Sequence, residues 1–229
     1  MSKEFDKFCN QVFYTENLDG AGRWLARFFE QVIRKENTIY DNLLEVGCGP
    51  SWIGLWLQKK GLCHNLHLTD INPQAIEAVS KTLKNNNIKA TTYLSDLFNN
   101  IPEDIKFDCI VSNPPNYFDI QDSHSVYGYL SNDIRPSDRD WKFHKEFYKQ
   151  VARRLTEDGV IFISEINMYS DTVVFLNEIY DKRKRPAIDD FEDMIKSSGL
   201  IIKDVVYLTK STNEFKVPVH LIKVGKCYE

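Results

Sequence analysis

Residues 42–51 read Asn-Leu-Leu-Glu-Val-Gly-Cys-Gly-Pro-Ser. A short apolar run breaks into two glycines one residue apart, and an apolar stretch, Trp52 to Lys60, follows at once. The run reads as a buried strand and residues 51–60 as a helix with Trp52, Ile53, Leu55, Trp56 and Leu57 inward. Gly61 ends that helix. Outward from this unit the pattern repeats. Strands are predicted at 65–70, 90–94, 107–112 and 160–164. Helices are predicted at 21–34, 74–84 with Pro73 in the first turn, 143–155, 171–180 and 187–198. Glu157-Asp158-Gly159 reads as the turn that closes the 143–155 helix. Two closing strands, 200–208 and 216–224, are joined by Thr209–Glu214 and pair as an antiparallel hairpin. Strands alternating with helices predict an α/β fold with a doubly wound, mostly parallel seven-stranded sheet, built as a single domain over 1–229.

The chain has 229 residues, 29 basic against 33 acidic, for a formal charge of −4. That balance does not advertise a phosphate-binding surface. The basic run Lys182-Arg183-Lys184-Arg185 reads as a solvated surface stretch. No apolar stretch is long enough for a bilayer, and Met1–Lys7 lacks an apolar signal core, so a cytoplasmic protein with no membrane partner is expected. The five cysteines (9, 48, 63, 109 and 227) form no C-x-x-C pair, which argues against a disulfide framework and a zinc site. Cys109 fits an apolar strand. His64 and His67 fit the approach to the second strand, and no metal is expected.

In a doubly wound sheet, ligands sit beyond the carboxyl ends of the strands. Four polar stretches fall there. At the first, Gly47 and Gly49 allow a tight turn and close backbone approach, and the following helix N-terminus faces the ligand. The turn lacks the third glycine of a dinucleotide fingerprint, where Trp52 stands, and lacks the Gly-Lys-Ser/Thr of a P-loop. The second is Asp70, twenty-three residues past Gly47, a carboxylate able to accept two ribose hydroxyls. Asn72 is the better helix cap there. The third is Asp96 in Ser95-Asp-Leu97-Phe, able to accept from an adenine amine. The fourth is Asn113-Pro114-Pro115, directly after the 107–112 strand. The prolines fix φ and remove N–H groups, which makes a stiff shelf carrying acceptors suited to an –NH2 group.

The lines LLEVGCG, LTDINPQAIEAV, SDLF and FDCIVSNPP, in this order over about residues 42–164, resemble the class I S-adenosylmethionine (SAM) methyltransferases. The wording is most similar to the amino- and amide-nitrogen branch. That branch holds release-factor glutamine, ribosomal-RNA guanine-N2 and DNA adenine-N6 enzymes. The resemblance implies a Rossmann-like sheet, SAM as cofactor and S-adenosyl-L-homocysteine as product. It implies that Glu45, Gly47 and Gly49 border the methionine moiety and that Asp70 holds the ribose. Ile71 would pack on adenine, with Asp96 and Leu97 at its amino edge. Asn113 and the Pro114 carbonyl would orient the acceptor nitrogen.

This chain departs from the branch at one place. Asn116 stands where an aromatic usually follows Asn-Pro-Pro, with Tyr117 and Phe118 next. Either an aromatic reaches in from the next position or the acceptor is not a flat base, and the second option fits the first expectation, an amino, amide or guanidino nitrogen of a small molecule or protein side chain. An RNA or DNA base is the alternative acceptor, and a non-catalytic methyltransferase-like subunit is the second alternative. Residues 1–20, 117–141 and 166–186 exceed the minimal core and are expected on the acceptor side, with Tyr127, Asp140 and Trp141 among the substrate contacts. Phe13 or Tyr14 is a weaker candidate for roofing the cofactor. The acceptor's identity and the oligomeric state stay open.

Overall fold

The computed structural model describes residues 3–15, 18, 22–115, 138, 141–166, 188–211 and 216–227. The predicted helix at 171–180, the basic run at 182–185 and the hairpin turn lie outside the described residues. Two compact units emerge: Met1–Asn113 with Arg154–Gly159, and Pro114–Arg153 with Val160–Glu229.

The first unit carries α1 (Lys3–Cys9), α2 (Gly22–Ile33), β1 (Tyr40–Val46), α3 (Trp52–Lys59), β2 (Cys63–Asp70), α4 (Pro73–Asn86), β3 (Thr91–Leu94) and β4 (Phe107–Ser112). β1 pairs in parallel with β2 and with β4, and β2 pairs in parallel with β3. Leu43, Leu44, Leu68, Cys109, Ile110 and Val111 are fully buried, as strands covered on both faces require. The crossovers from β1 to β2 and from β2 to β3 each run through a helix, α3 and α4, with local start and stop signals. Asn72 caps α4 by accepting from the Gln74 N–H at 3.0 Å, with Pro73 at the first helical position. Gly61, at φ 69°, lets the chain leave α3 in a left-handed turn.

The second unit carries α5 (Lys142–Val151), most of β5 (Leu155–Ile166), α6 (Ile188–Ser197), β6 (Leu200–Ser211) and β7 (Lys216–Lys226). β7 pairs antiparallel with both β5 and β6. The seven strands follow the order β3-β2-β1-β4-β5-β7-β6. The protein therefore has the expected Rossmann-like mixed sheet with a C-terminal antiparallel hairpin.

Three local expectations are corrected. The helix expected to reach Leu155 ends at Val151 and passes through a 3-10 turn, Ala152–Arg154. β5 then runs straight through Glu157-Asp158-Gly159, which is strand rather than turn. Gly159 is needed there because a Cβ would stand 2.8 Å from the Phe107 carbonyl oxygen. Ser51 is not helical. It adopts φ 60° and its side chain makes no cap. α1 was not expected at all, yet Phe5 and Phe8 pack their rings on Trp56, and Phe8 also meets Trp52. Among the described residues no helix is long and apolar enough to cross a membrane.

Candidate cofactor and acceptor site

Register brings the four stretches together. Val46 stands opposite both Thr69 and Ser112, and Asp70 opposite Leu94. The turns after β1, β2 and β3 and the shelf after β4 therefore leave the sheet at one level, at its carboxyl end. Hydrogen bonds lock them to one another. Cys48 N–H donates to the Thr69 carbonyl at 3.0 Å, and Ser95 N–H to the Asp70 carbonyl at 2.9 Å. The buried Ser112 hydroxyl donates to the Val46 carbonyl at 3.0 Å, which ties the root of the shelf to the root of the glycine turn.

Gly47 and Gly49 sit at φ 66° and 50°. A Cβ at Gly47 would meet nothing within 4 Å, so the turn faces open space. Asp70 cradles the turn: its Oδ2 accepts from Gly49 N–H and its Oδ1 from Asn72 N–H, both at 2.8 Å. Burial raises the Asp70 pKa against these bonds. Glu45 is 3% exposed. Its Oε2 accepts from the Ser51 hydroxyl at 2.6 Å and from Gly54 N–H at 2.9 Å. Burial pushes Glu45 up to about 8, the two bonds pulling it back and the Asp70 charge adding to the rise. The neighbouring Cys48 thiol is pushed up too, by burial and by the Asp70 and Glu45 charges.

Asp96 is exposed and Leu97 is buried at φ 51°, an unusual backbone for leucine. The Thr69 hydroxyl donates to the Leu97 carbonyl at 3.2 Å. Arg154 fixes the rest of that loop by donating to the Phe98, Ile101 and Pro102 carbonyls at 2.8–3.1 Å. Ile71 is 67% exposed, a large apolar side chain left open at the lip of the turn. Asn113 is half-buried and Pro114 buried.

The structure thus brings Glu45, Gly47, Gly49, Asp70, Ile71, Asp96, Leu97 and Asn113 to one end of the parallel strands, with Pro114 next in the chain. Trp141 lies at the head of α5, where its ring meets His144 and Phe191 edge-on. Asn116, Tyr117, Phe118, Tyr127 and Asp140 lie outside the described residues. Tyr14 packs edge-on against Trp52, and Phe13 lies under the Lys81 ammonium at 4.9 Å. Sequence reasoning missed Ser51, Gly54, Ser112, His144, Arg154 and Glu165. Only Gly54 carried a legible signal, a glycine inside a predicted helix marking a close approach. A cleft of about 240 Å³ lined by Thr38, Tyr40, Asp41, Asp108 and Asp158 lies at the opposite, amino-terminal end of these strands. That is the wrong end for a ligand in this kind of sheet. Among the described residues no cluster of His, Cys, Asp or Glu is arranged to hold a metal.

SAM fits this arrangement. Its sulfonium and ammonium are cations, and the site holds two acids, buried Glu45 and half-buried Asp70, whose desolvation disfavours their charge unless a cation arrives. Its adenine is a flat apolar ring, and Ile71 offers an uncovered apolar face.

Comparison with known proteins defines the class. The methyltransferase small domain family matches residues 7–131, and the chain belongs to that family. Among curated proteins it is similar to the ribosomal RNA small subunit methyltransferase C of Haemophilus influenzae, 39% identical over 80 residues, 35% of this chain and 24% of that protein. The same enzyme of Haemophilus ducreyi is 32% identical over 113 residues, 49% of this chain and 32% of that protein. The chain spans less than a third of the length of these relatives. Among solved structures, a SAM-dependent methyltransferase from Methanosarcina mazei matches with TM-score 0.62 at 17% identity, covering 86% of this chain and 98% of that one. The 16S rRNA N2 methyltransferase of T. thermophilus, solved with AdoMet and guanosine, matches with TM-score 0.53 at 19% identity, covering 89% and 43%. These structural likenesses carry the fold.

Proposed function

We propose that this protein transfers the methyl group of SAM to an exocyclic amino nitrogen of an unpaired base in RNA. The observation that carries the reading is the Asn113-Pro114-Pro115 shelf, level with the glycine turn and tied to it through Ser112. A small-molecule or protein acceptor came first on sequence alone. The similarity to ribosomal RNA methyltransferases supports the nucleic-acid alternative instead.

SAM supplies an electrophilic methyl on a positively charged sulfur. An aryl amine is a poor nucleophile because its lone pair is delocalised into the ring. Asn113 Oδ1 and the Pro114 carbonyl accept the two N–H hydrogens, favour a pyramidal nitrogen and aim its lone pair along the C–S axis. The N–C bond forms as the C–S bond breaks, its electron pair going to sulfur. The nitrogen then sheds one proton to solvent. Orientation of this kind is worth up to about 7–11 kcal/mol. Glu45 and Asp70 fix the turn and supply negative charge near the cation. An unpaired base suits such a site because its amine is otherwise occupied in a duplex.

The test is transfer from labelled SAM to transcribed small-subunit ribosomal RNA, run beside protein and small-molecule fractions of a cell extract, with Asn113→Ala in parallel. The expected result is N-methylated base in RNA and a loss of about a hundredfold or more in the variant. Label confined to the protein or small-molecule fraction would overturn the reading.

A further inference from the structure

Arg154 and the loop that follows β3 both belong to the first unit. Arg154 is 4% exposed, and its guanidinium holds that loop from more than fifty positions away. Its Nη1 donates to the Pro102 carbonyl at 2.8 Å, and its Nη2 to the Phe98 and Ile101 carbonyls at 2.9 and 3.1 Å. Taking a guanidinium out of water is costly, and apolar packing would cover the loop at less cost. What the planar fork adds is geometry, because one rigid group fixes three carbonyls at once.

The loop is fastened along its length. Ser95 N–H donates to the Asp70 carbonyl at 2.9 Å. The Ser95 hydroxyl oxygen accepts Asn100 N–H at 2.9 Å, and the Asn100 side-chain amide donates to the Leu94 carbonyl at 2.7 Å. Between these anchors Leu97 is buried with its backbone left-handed, φ 51°. Its carbonyl accepts from the Thr69 hydroxyl at 3.2 Å, and the next carbonyl, that of Phe98, is taken by Arg154. Two successive peptide groups are thus pinned by two side chains, one on β2 and one just before β5. Backbone strain of this kind persists where the surroundings over-determine it, and it gathers at ligand clamps. Asp96, one residue before the strained leucine, is exposed.

We infer that Arg154 is a positioning residue for cofactor selectivity. By holding the Phe98, Ile101 and Pro102 carbonyls it keeps Leu97 in its left-handed turn and Asp96 at the amino edge of the adenine ring. The inference rests on the reading of Asp96 and Leu97 as the adenine edge of a SAM site, and it names what makes that edge rigid enough to discriminate.

The experiment titrates two ligands by calorimetry, S-adenosylhomocysteine and S-inosylhomocysteine. The second carries a 6-oxo group and an N1–H where the first carries a 6-amino group and an N1 acceptor. The proteins are wild type, Arg154→Met, Arg154→Lys and Thr69→Val, each with its urea midpoint measured alongside. Wild type prefers the adenine ligand about tenfold or more, because the wrong base leaves polar groups of the site unpaired. Arg154→Met and Thr69→Val bring that preference to within about threefold, chiefly by weakening the adenine ligand. Arg154→Lys, a point charge without the fork, falls between. If Arg154→Met does not fold, Arg154→Lys and Thr69→Val, which keep the buried volume nearly whole, decide the question. An unchanged preference in the folded Arg154 variants, or equal weakening of both ligands, overturns the inference and leaves the SAM reading standing. Wild type that binds both ligands equally removes the adenine edge, and wild type that binds neither removes the SAM site; the role of Arg154 falls with either.

Discussion

The molecule holds two carboxylate clusters that solve the same electrostatic problem differently. Around the glycine turn, Glu45 accepts from Ser51 and Gly54 and Asp70 from Gly49 and Asn72, none of them a cation, and burial raises the pKa of both. At the head of α5, Asp138 and Glu165 share the imidazolium of His144. Burial alone would lower the His144 pKa. The Glu165 charge and the hydrogen bonds to both acids outweigh it and hold the value at about 9. The second cluster carries its own counter-ion. The first is complementary to one that arrives with a ligand. The difference separates a cluster open to a cationic ligand, as the proposed function requires, from one that is electrostatically complete in itself.

The largest effect is expected from removing the built-in cation. His144→Ala leaves two buried acids uncompensated and should lower stability by about 3–5 kcal/mol, read as a fall in urea midpoint. The wild-type contribution is pH-dependent with a definite sign. Its folded value of about 9 lies above the ordinary 6.5, so the stabilisation is complete below about pH 6.5 and is lost as pH rises through 9. The variant should lack that alkaline loss. A midpoint difference that stays constant from pH 6 to 10 would refute the charged-histidine account.

Asp70→Ala comes next and breaks the other side of the comparison. It removes a carboxylate from the proposed ligand site and frees the Gly49 and Asn72 N–H groups. SAM affinity should fall roughly a hundredfold, the scale of about two charge-assisted hydrogen bonds, while α5 and its cluster keep their hydrogen-exchange protection.

The two clusters were not equally legible in the sequence. Everything around the glycine turn lies within a few residues of a strand end, so local signals such as paired glycines, a capping Asn72 and prolines at 114 and 115 revealed it. The Asp138–His144–Glu165 contact joins a loop, a helix and a strand, with His144 and Glu165 twenty-one positions apart. No local pattern encodes that meeting. β5 was misplaced for a related reason. Glu157-Asp158-Gly159 has turn composition, and the neighbouring strand β4, with Gly159 against the Phe107 carbonyl, overrides it.

Gly54→Ala is a smaller perturbation of the same cofactor cluster. In an exposed helix the change would stabilise by about 1 kcal/mol. Here the added Cβ would stand 2.7 Å from Glu45 Oε2 and 3.1 Å from Leu66 and Leu68. The Glu45 carboxylate cannot swing away without losing Ser51. A net loss of about 1–3 kcal/mol is expected in chemical denaturation, with weaker SAM binding alongside. A variant as stable as wild type would mean the helix can shift without disturbing Glu45.

Glu45→Gln should change stability least, by under about 1 kcal/mol near neutral pH, because an acid held at about 8 is already largely protonated there and the amide keeps an acceptor oxygen for Ser51 and Gly54. Its signature lies in linkage. A bound cation favours ionised Glu45, so SAM binding should release a proton, and the wild-type Kd should tighten several-fold between pH 6 and 8 and level off above. In Glu45→Gln that slope should flatten. Calorimetry in two buffers of different ionisation enthalpy counts the released proton directly. An equal count in wild type and variant would move the proton to another group, with Asp70 and Cys48 the nearest, and would end the claim that the first cluster recognises its ligand through Glu45.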